Sequence, residues 1–171
     1  YRRRFVHSLA TLDVRAIFDG GYLLPMGQED MVRRWFNVYR QLPVNDFETK
    51  SIVRQPVTIR TLSRPSETWI YLVNDSPWTA QVNVPLVASP SCLMSELGKQ
   101  APARPVANGQ MNPAWKLTLE PYDLAAARFS DGRVTVRNPQ VEVAKEVEVE
   151  LDLRIHDIGA RAASLRNQPT Y

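Results

Sequence analysis

The sequence has little with which to hold a metal or close a covalent loop: one cysteine and two histidines in 171 residues. A single cysteine excludes an intrachain disulfide, and His7 and His156 lie too far apart to suggest a shared metal, so no metal and no cofactor is expected. Cys92 sits in SCLMSEL, an apolar strand-like stretch, and reads as a buried, inert thiol. Strong charge of one sign is also lacking. Twenty-one Lys and Arg against 18 Asp and Glu leave +3, an excess that Arg2, Arg3 and Arg4 supply alone. Without a basic stripe interleaved with aromatics, nucleic acid is not an expected partner. No apolar run reaches the length of a membrane span, so no membrane partner is expected. The start, YRRRFVHSLATL, has neither an initiator Met nor a small-residue cleavage signal, which reads as a fragment or a processed chain. No G-x-S-x-G motif or other Ser or Cys nucleophile pattern occurs, which leaves serine-hydrolase chemistry unsupported.

What is present is enough apolar sequence, 44%, for the core of one domain. The 13 Pro against 7 Gly suit many short strands separated by loops. The chain opens with a stretch from about Arg3 to Leu12 that reads as the tail of a helix. An apolar run then follows, Val14, Ala16, Ile17 and Phe18, ended by Asp19, Gly20 and Gly21, as in a strand buried on both faces. In EDMVRRWFNVYRQLP, Met31, Val32, Trp35, Phe36 and Tyr39 recur at spacings of three and four. Glu29 and Asp30 at the front and Arg40 near the end match the macrodipole of an amphipathic helix that Pro43 stops. Strand, loop and helix make half of a βαβ unit, which cannot bury itself. Its missing partners are therefore expected upstream.

From about Phe47 to Asn138 the texture is strand-like: VTIRTLS, TWIYLVND, TAQVNVPLVA, SCLMSEL, WKLTLEP, LAAARFS and RVTVRN. Val82, Val84 and Leu86 point one way, as do Trp115, Leu117 and Leu119, so these strands are half-buried. SRPSE and NDSPW read as turns, and SDG as a tight turn in which Gly132 takes positive φ. GKQAPARPVANGQMNPA reads as a long surface loop. The fold class expected is mainly β, an antiparallel β-sandwich flanked by an N-terminal strand–helix unit and a C-terminal helix.

The last segment is ambiguous, because KEVEVELDLRIHDI alternates like a strand while Val147, Leu151, Ile155, Ile158, Ala162 and Leu165 keep a helical stripe. Its length favours helix, as do acids early, bases late, and i,i+4 pairs from Glu150 to Arg154 and Asp157 to Arg161. Val149 and Leu153 then fall off the main stripe, which suggests a second packing surface or a strand-like first turn.

FVHSLATLDVRAIFDGGYLLPMGQE, VYRQLP, WIYLVNDSPW and LEPYDLAAARFS, with the closing RIHDIGARAASLRN, together resemble the C-terminal third of family-10-like glycosylhydrolase proteins of planctomycete bacteria. LEPYDL and its following strand also resemble the last strands of sandwiches that trail glycosidase barrels. The resemblance implies three regions: residues 1–45, the late βα unit that ends a (β/α)-barrel; 46–138, a β-sandwich; and 139–171, a C-terminal helix. It implies an upstream barrel domain of the same polypeptide as partner, polysaccharide as ligand class, and the acid and base of a glycoside hydrolase outside this chain.

Asp19 is the leading candidate binding residue, because barrel sites lie at the C-terminal ends of strands and Gly20 and Gly21 permit close approach. Tyr22 would stack on a pyranose. Trp78, following Pro77 in a turn, is the third binding candidate, for a sugar or for the barrel. Trp69, Tyr71 and Trp115 fit core packing better than a sugar platform, and no residue is assigned a catalytic role. Three readings follow: a non-catalytic sandwich buttressing a barrel, a carbohydrate- or protein-binding module, and a self-contained enzyme. A coplanar row of exposed aromatics would favour the second, and a deep pocket with two carboxylates the third.

Overall fold

The computed structural model describes residues 2–12, 29–50, 56–106 and 113–166. The strand expected at 14–18 and the loop bearing Asp19 and Tyr22 lie outside them. The described residues form helices α1 (Arg2–Thr11), α2 (Glu29–Tyr39) and α3 (Lys145–Arg166). Their strands are β1 (Glu48–Thr49), β2 (Val57–Arg64), β3 (Glu67–Asn74), β4 (Ala80–Val87), β5 (Leu93–Glu96), β6 (Arg104–Pro105), β7 (Ala114–Leu119), β8 (Leu124–Phe129), β9 (Thr135–Val136) and β10 (Gln140–Val143). The fold class is therefore mainly β, with antiparallel pairing throughout. A six-stranded sheet, β1-β2-β3-β8-β5-β6, faces a smaller sheet ordered β10-β4-β7, in which β9 also pairs with β4.

The alternation along the strands explains the layering. Val82, Val84 and Leu86 of β4 and Trp115 and Leu119 of β7 point inward, where they meet Ile59, Ile70, Leu72, Ala127 and Phe129 of the larger sheet. The opposite face of the larger sheet is buried as well. Tyr71, Val73, Leu124 and Ala126 pack there against Phe5, Val6 and Leu9 of α1 and Trp35 and Val38 of α2. The result is three layers: small sheet, large sheet, helices.

Rings carry much of the outer contact. Trp35 lies 5.2 Å from Phe5 and stacks on Tyr39 at 5.4 Å, while Phe47 meets Tyr71 edge-on at 4.9 Å. Pairs of this kind add about 0.5–1.5 kcal/mol each beyond the area they bury. The sheet also holds the end of α1 through polar groups. Buried Arg60 donates to the Ala10 carbonyl at 3.3 Å and the Tyr71 hydroxyl to that of Leu9 at 3.5 Å. A cation at a helix C-terminus complements the macrodipole. The half-unit expected around α2 is thus packed on the sandwich along its helix; its strand half lies outside the described residues.

Several local expectations hold. The SRPSE turn joins β2 to β3, with Arg64 opposite Glu67. Leu42 precedes Pro43 in the turn that ends α2. Arg154 pairs with Glu150 at 2.5 Å and Arg161 with Asp157 at 2.9 Å. Cys92 is buried, and that burial first, then the Asp131 carboxylate, pushes its thiol above the ordinary range. Other expectations change. The Pro-rich surface stretch after Gly98 contributes β6, which pairs with β5. The alternating stretch from Lys145 is helical, as expected, but the region expected as C-terminal helix opens on strand β10; β9 and β10 both line β4, separated by a break at Asn138, whose φ is 37°. Gly132 does not take the positive φ expected of it. It is needed for space, because a Cβ there would lie 2.0 Å from the Arg64 carbonyl oxygen and 2.6 Å from that of Pro65. Backbone atoms cannot swing aside as a side chain would.

Glycine substitutions separate these constraints. Gly132→Ala is expected to destabilise the domain by about 3 kcal/mol through overpacking, read as a lower urea midpoint. Gly159, in the open on α3, is expected to behave oppositely, with Gly159→Ala raising helix content by far-UV circular dichroism in line with a gain of about 1 kcal/mol.

Candidate functional site

A groove of about 370 Å³ lies on the outer face of the small sheet. Its polar lining is made of the residues that alternation turns away from the core. Register sets them in two rows across β7, β4 and β10: Thr118, Gln81 and Glu142 in one, and Lys116, Asn83 and Gln140 in the other. Each row spans two strand spacings, roughly 10 Å. Asn83 donates its Nδ2 hydrogen to Gln140 Oε1 at 3.1 Å, while its Oδ1 is buried with no hydrogen-bond partner among the described residues. Amides, an ammonium, a hydroxyl and a carboxylate side by side suit a ligand whose groups both donate and accept, as polyol hydroxyls do. No aromatic ring lines this groove, so it offers hydrogen bonding without a stacking platform.

A second cavity, of about 70 Å³, lies between α2, the end of β5 and strands β7 and β8. Glu96 and Asp123 both line it, yet its volume is that of roughly two waters. Glu96 is already held by Lys99 and by Arg104, the latter at 2.8 Å. Such a cavity is too small for a sugar ring.

Trp78 stands at one end of the sandwich, half-buried, in a turn fixed by its backbone. Buried Asn74 donates Nδ2 hydrogens to the Trp78 carbonyl at 2.7 Å and the Glu120 carbonyl at 3.0 Å, with that of Leu119 at 3.4 Å. Ser76 donates its hydroxyl to Asn74 Oδ1 at 2.7 Å. From the other strand connection, the Tyr122 amide donates to the Ser76 carbonyl at 3.1 Å, Tyr122 taking a φ of 54°. One side chain thus ties the β3–β4 turn to the β7–β8 turn, across the two sheets. Nearby, His7 Nδ1 lies 2.6 Å from Asp75 Oδ2, an exposed clip between α1 and the end of β3. Ser76 is bonded to Asn74, so these three residues do not form a nucleophile–base relay.

The opposite end of β3 has a matching anchor. Thr68 donates its hydroxyl to the Asp131 carbonyl at 2.7 Å, and the Asp131 carboxylate accepts from the amides of Arg133 at 2.9 Å and Ser89 at 3.0 Å. The Arg133 amide first, then Ser89, hold its carboxyl below the usual range, with the Arg133 charge assisting.

Of the three binding residues expected from sequence, Trp78 falls among the described residues, while Asp19 and Tyr22 lie outside them. Trp69 is half-buried beneath Arg128, whose guanidinium lies 5.8 Å from its ring, and Tyr71 and Trp115 are core residues. These aromatics form no exposed row. The groove residues were missed, although their signal lies in the polar half of the same alternation: Gln81 and Asn83 beside Val82 and Val84, Lys116 and Thr118 beside Trp115 and Leu117. Among the described residues no cluster of His, Cys, Asp and Glu fits a metal ion, and no helix is long and apolar enough to cross a membrane.

Comparison with known proteins yields no matching family model and no matching curated protein. Among solved structures, the chain is similar to α-galactosidase I from Mortierella vinacea, at 13% identity and a TM-score of 0.47 over 77% of this chain and 35% of that one. It is also similar to the secreted serine protease VesC from Vibrio cholerae, at 17% identity and a TM-score of 0.26 over 68% of this chain and 27% of that one. The chain thus spans about a third of the α-galactosidase's length.

The two anchors of β3 make distinct predictions. Asn74→Ala strips buried carbonyls of their donor and is expected to cost about 3 kcal/mol in equilibrium unfolding. Asp131 has a lowered carboxyl pKa in the folded state, so its contribution is complete above the unfolded value of about 3.9 and vanishes as pH falls through the folded one. Asp131→Asn, which can accept only one of the two amides as before, is expected to cost about 1–2 kcal/mol at neutral pH. Its stability curve should be flatter than the wild type's on the acid side of pH 4.

Proposed function

We propose that this chain is the C-terminal, non-catalytic β-sandwich region of a carbohydrate-active, glycoside hydrolase-like polypeptide, supporting an upstream barrel domain. The observation that carries this reading is the carboxylate count of the groove. Glycoside hydrolysis by the usual routes needs two carboxyl groups, about 5–5.5 Å apart for retention or 6.5–9.5 Å for inversion. Glu142 is the single acid lining the groove of about 370 Å³ on the small sheet. The helical layer fits a supporting role, since α1 and α2 share a core with the large sheet and would pass the rigidity of the sandwich to whatever they adjoin. On this reading Asp19 and Tyr22 belong to the end of a barrel strand, and the sequence resemblance to family-10-like glycosylhydrolase proteins supplies the link to carbohydrate.

The groove itself favours a second reading, a binding module without enzymatic activity that takes polysaccharide through the two polar rows. A single experiment addresses both: the purified chain is incubated with α- and β-linked polysaccharides, following new reducing ends and retention of the protein on each polymer. No reducing ends are expected. Retention lost in an Asn83→Ala, Lys116→Ala double variant would support the binding module, and release of sugar by this chain would contradict both readings.

A further inference from the structure

Two cations on the outer face of the small sheet have no counterpart in the fold. Lys116 stands on β7 opposite Asn83, exposed. Arg137 follows β9, and its amide donates to the Pro85 carbonyl at 2.9 Å, two residues along β4 from Asn83. Because Val136 turns toward the core, its neighbour Arg137 turns outward, onto the face that Lys116 occupies, and it too is exposed. Two strand spacings and two residues of rise separate the two backbones, roughly 12 Å, so two long side chains flank the same ligand from either side. Neither side chain has an ion-pair or hydrogen-bond partner among the described residues, whereas Arg64, Lys99 and Arg104 are each held by an acid. Between the two cations lie the amides of Asn83 and Gln140, already bonded to each other.

We propose that this face binds a polysaccharide that carries carboxylates, a polyuronate, with Lys116 and Arg137 each taking a carboxylate and the Asn83 and Gln140 amides the hydroxyls between them. The inference rests on the binding-module reading of the groove and gives that module a ligand class. A guanidinium offers a carboxylate a fork of two donors and an ammonium offers a point charge, so the two ends are not equivalent. Glu142 is the acid that lines the groove, and it would repel such a ligand. It stands in the other polar row, roughly 12 Å from Lys116 by the same strand spacings and further from Arg137. That is beyond the Debye length of about 8 Å at physiological salt, so its repulsion is screened while the contact pairs are not. Two separated cations match single charges at intervals along a chain better than the dense charge of a sulfated polymer. Nucleic acid fits less well, since it would call for aromatic faces to stack on or a run of cations along a backbone, and this face has neither.

Calorimetric titration of the intact chain with polygalacturonate, the same polymer methyl-esterified, dextran and dextran sulfate tests this. Polygalacturonate is expected to bind, more weakly as salt is raised. Methyl-esterification, which removes the charge and keeps the hydroxyls, should weaken binding about fivefold or more, as loss of two exposed ion pairs would. Lys116→Gln and Arg137→Gln should each weaken it about two- to fivefold, with the unfolding midpoint followed by tryptophan fluorescence unchanged. Arg34→Gln, which removes the same charge from the exposed face of α2 in the helical layer, should leave binding as it was. Equal binding of polygalacturonate and dextran, indifference to the Lys116 and Arg137 substitutions, or an equal loss in Arg34→Gln overturns the uronate assignment and leaves the binding module standing. Binding of dextran sulfate without polygalacturonate overturns it as well. Binding of no polymer overturns both the assignment and the module.

Discussion

Burial of β3 on both faces is the constraint on which the rest of the structure depends. Ile70, Tyr71, Leu72 and Val73 are all fully buried: Ile70 and Leu72 belong to the core between the sheets, Tyr71 and Val73 to the core beneath the helices. A strand buried in this way cannot shift register by one residue, because every side chain would change cores. The backbone polar groups at its ends must also find partners inside the protein. The Asn74 amide finds the Asp123 carbonyl, and the Asn74 and Thr68 side chains in turn donate to the carbonyls of Trp78, Glu120 and Asp131 in the adjoining turns. Both anchors reach across to turns that join other strands, so the placement of β3 also fixes β4, β7, β8 and the β2–β3 hairpin.

The helical layer follows from the same strand. Tyr71 meets Phe47 and donates toward the end of α1, and neighbouring Arg60 reaches the same helix terminus. Without α1 and α2 the outer face of the large sheet would be an exposed apolar surface of the kind that soluble domains seldom tolerate. The small sheet is different. Its outer face is polar, solvated and grooved, which is why the candidate ligand surface lies there and the supporting contacts lie on the other side of the molecule.

Much of this was legible in the sequence, because alternation and helical spacing are local. The inward sets of β4 and β7, the span of α2 and the ion pairs of α3 follow from residues within one or two turns of each other. Strand order does not. Nothing local shows that β8 inserts between β3 and β5, or that β10 lies beside β4 to complete the two polar rows. Double burial did have a signal, the nearly unbroken apolar run Trp69 to Val73, which matches the reasoning applied to residues 14–18. At Gly132 a tight turn was anticipated for the wrong physical reason: the approach of another backbone, that of Arg64 and Pro65, is visible only once the hairpin is folded against it. The solvent exposure of α3 was equally hidden, since an apolar stripe states what a helix wants to bury and not whether a partner is there.

The central claim, that one doubly buried strand unites the helical layer and the sandwich, is tested most directly by native-state hydrogen exchange resolved to single amides. The account predicts that the amides of β3 open only with global unfolding, and that those in the interior of α1 and α2 share the same opening free energy and denaturant dependence. Helices that exchange through a separate opening of lower free energy, with β3 still protected, would show two independent units and contradict it.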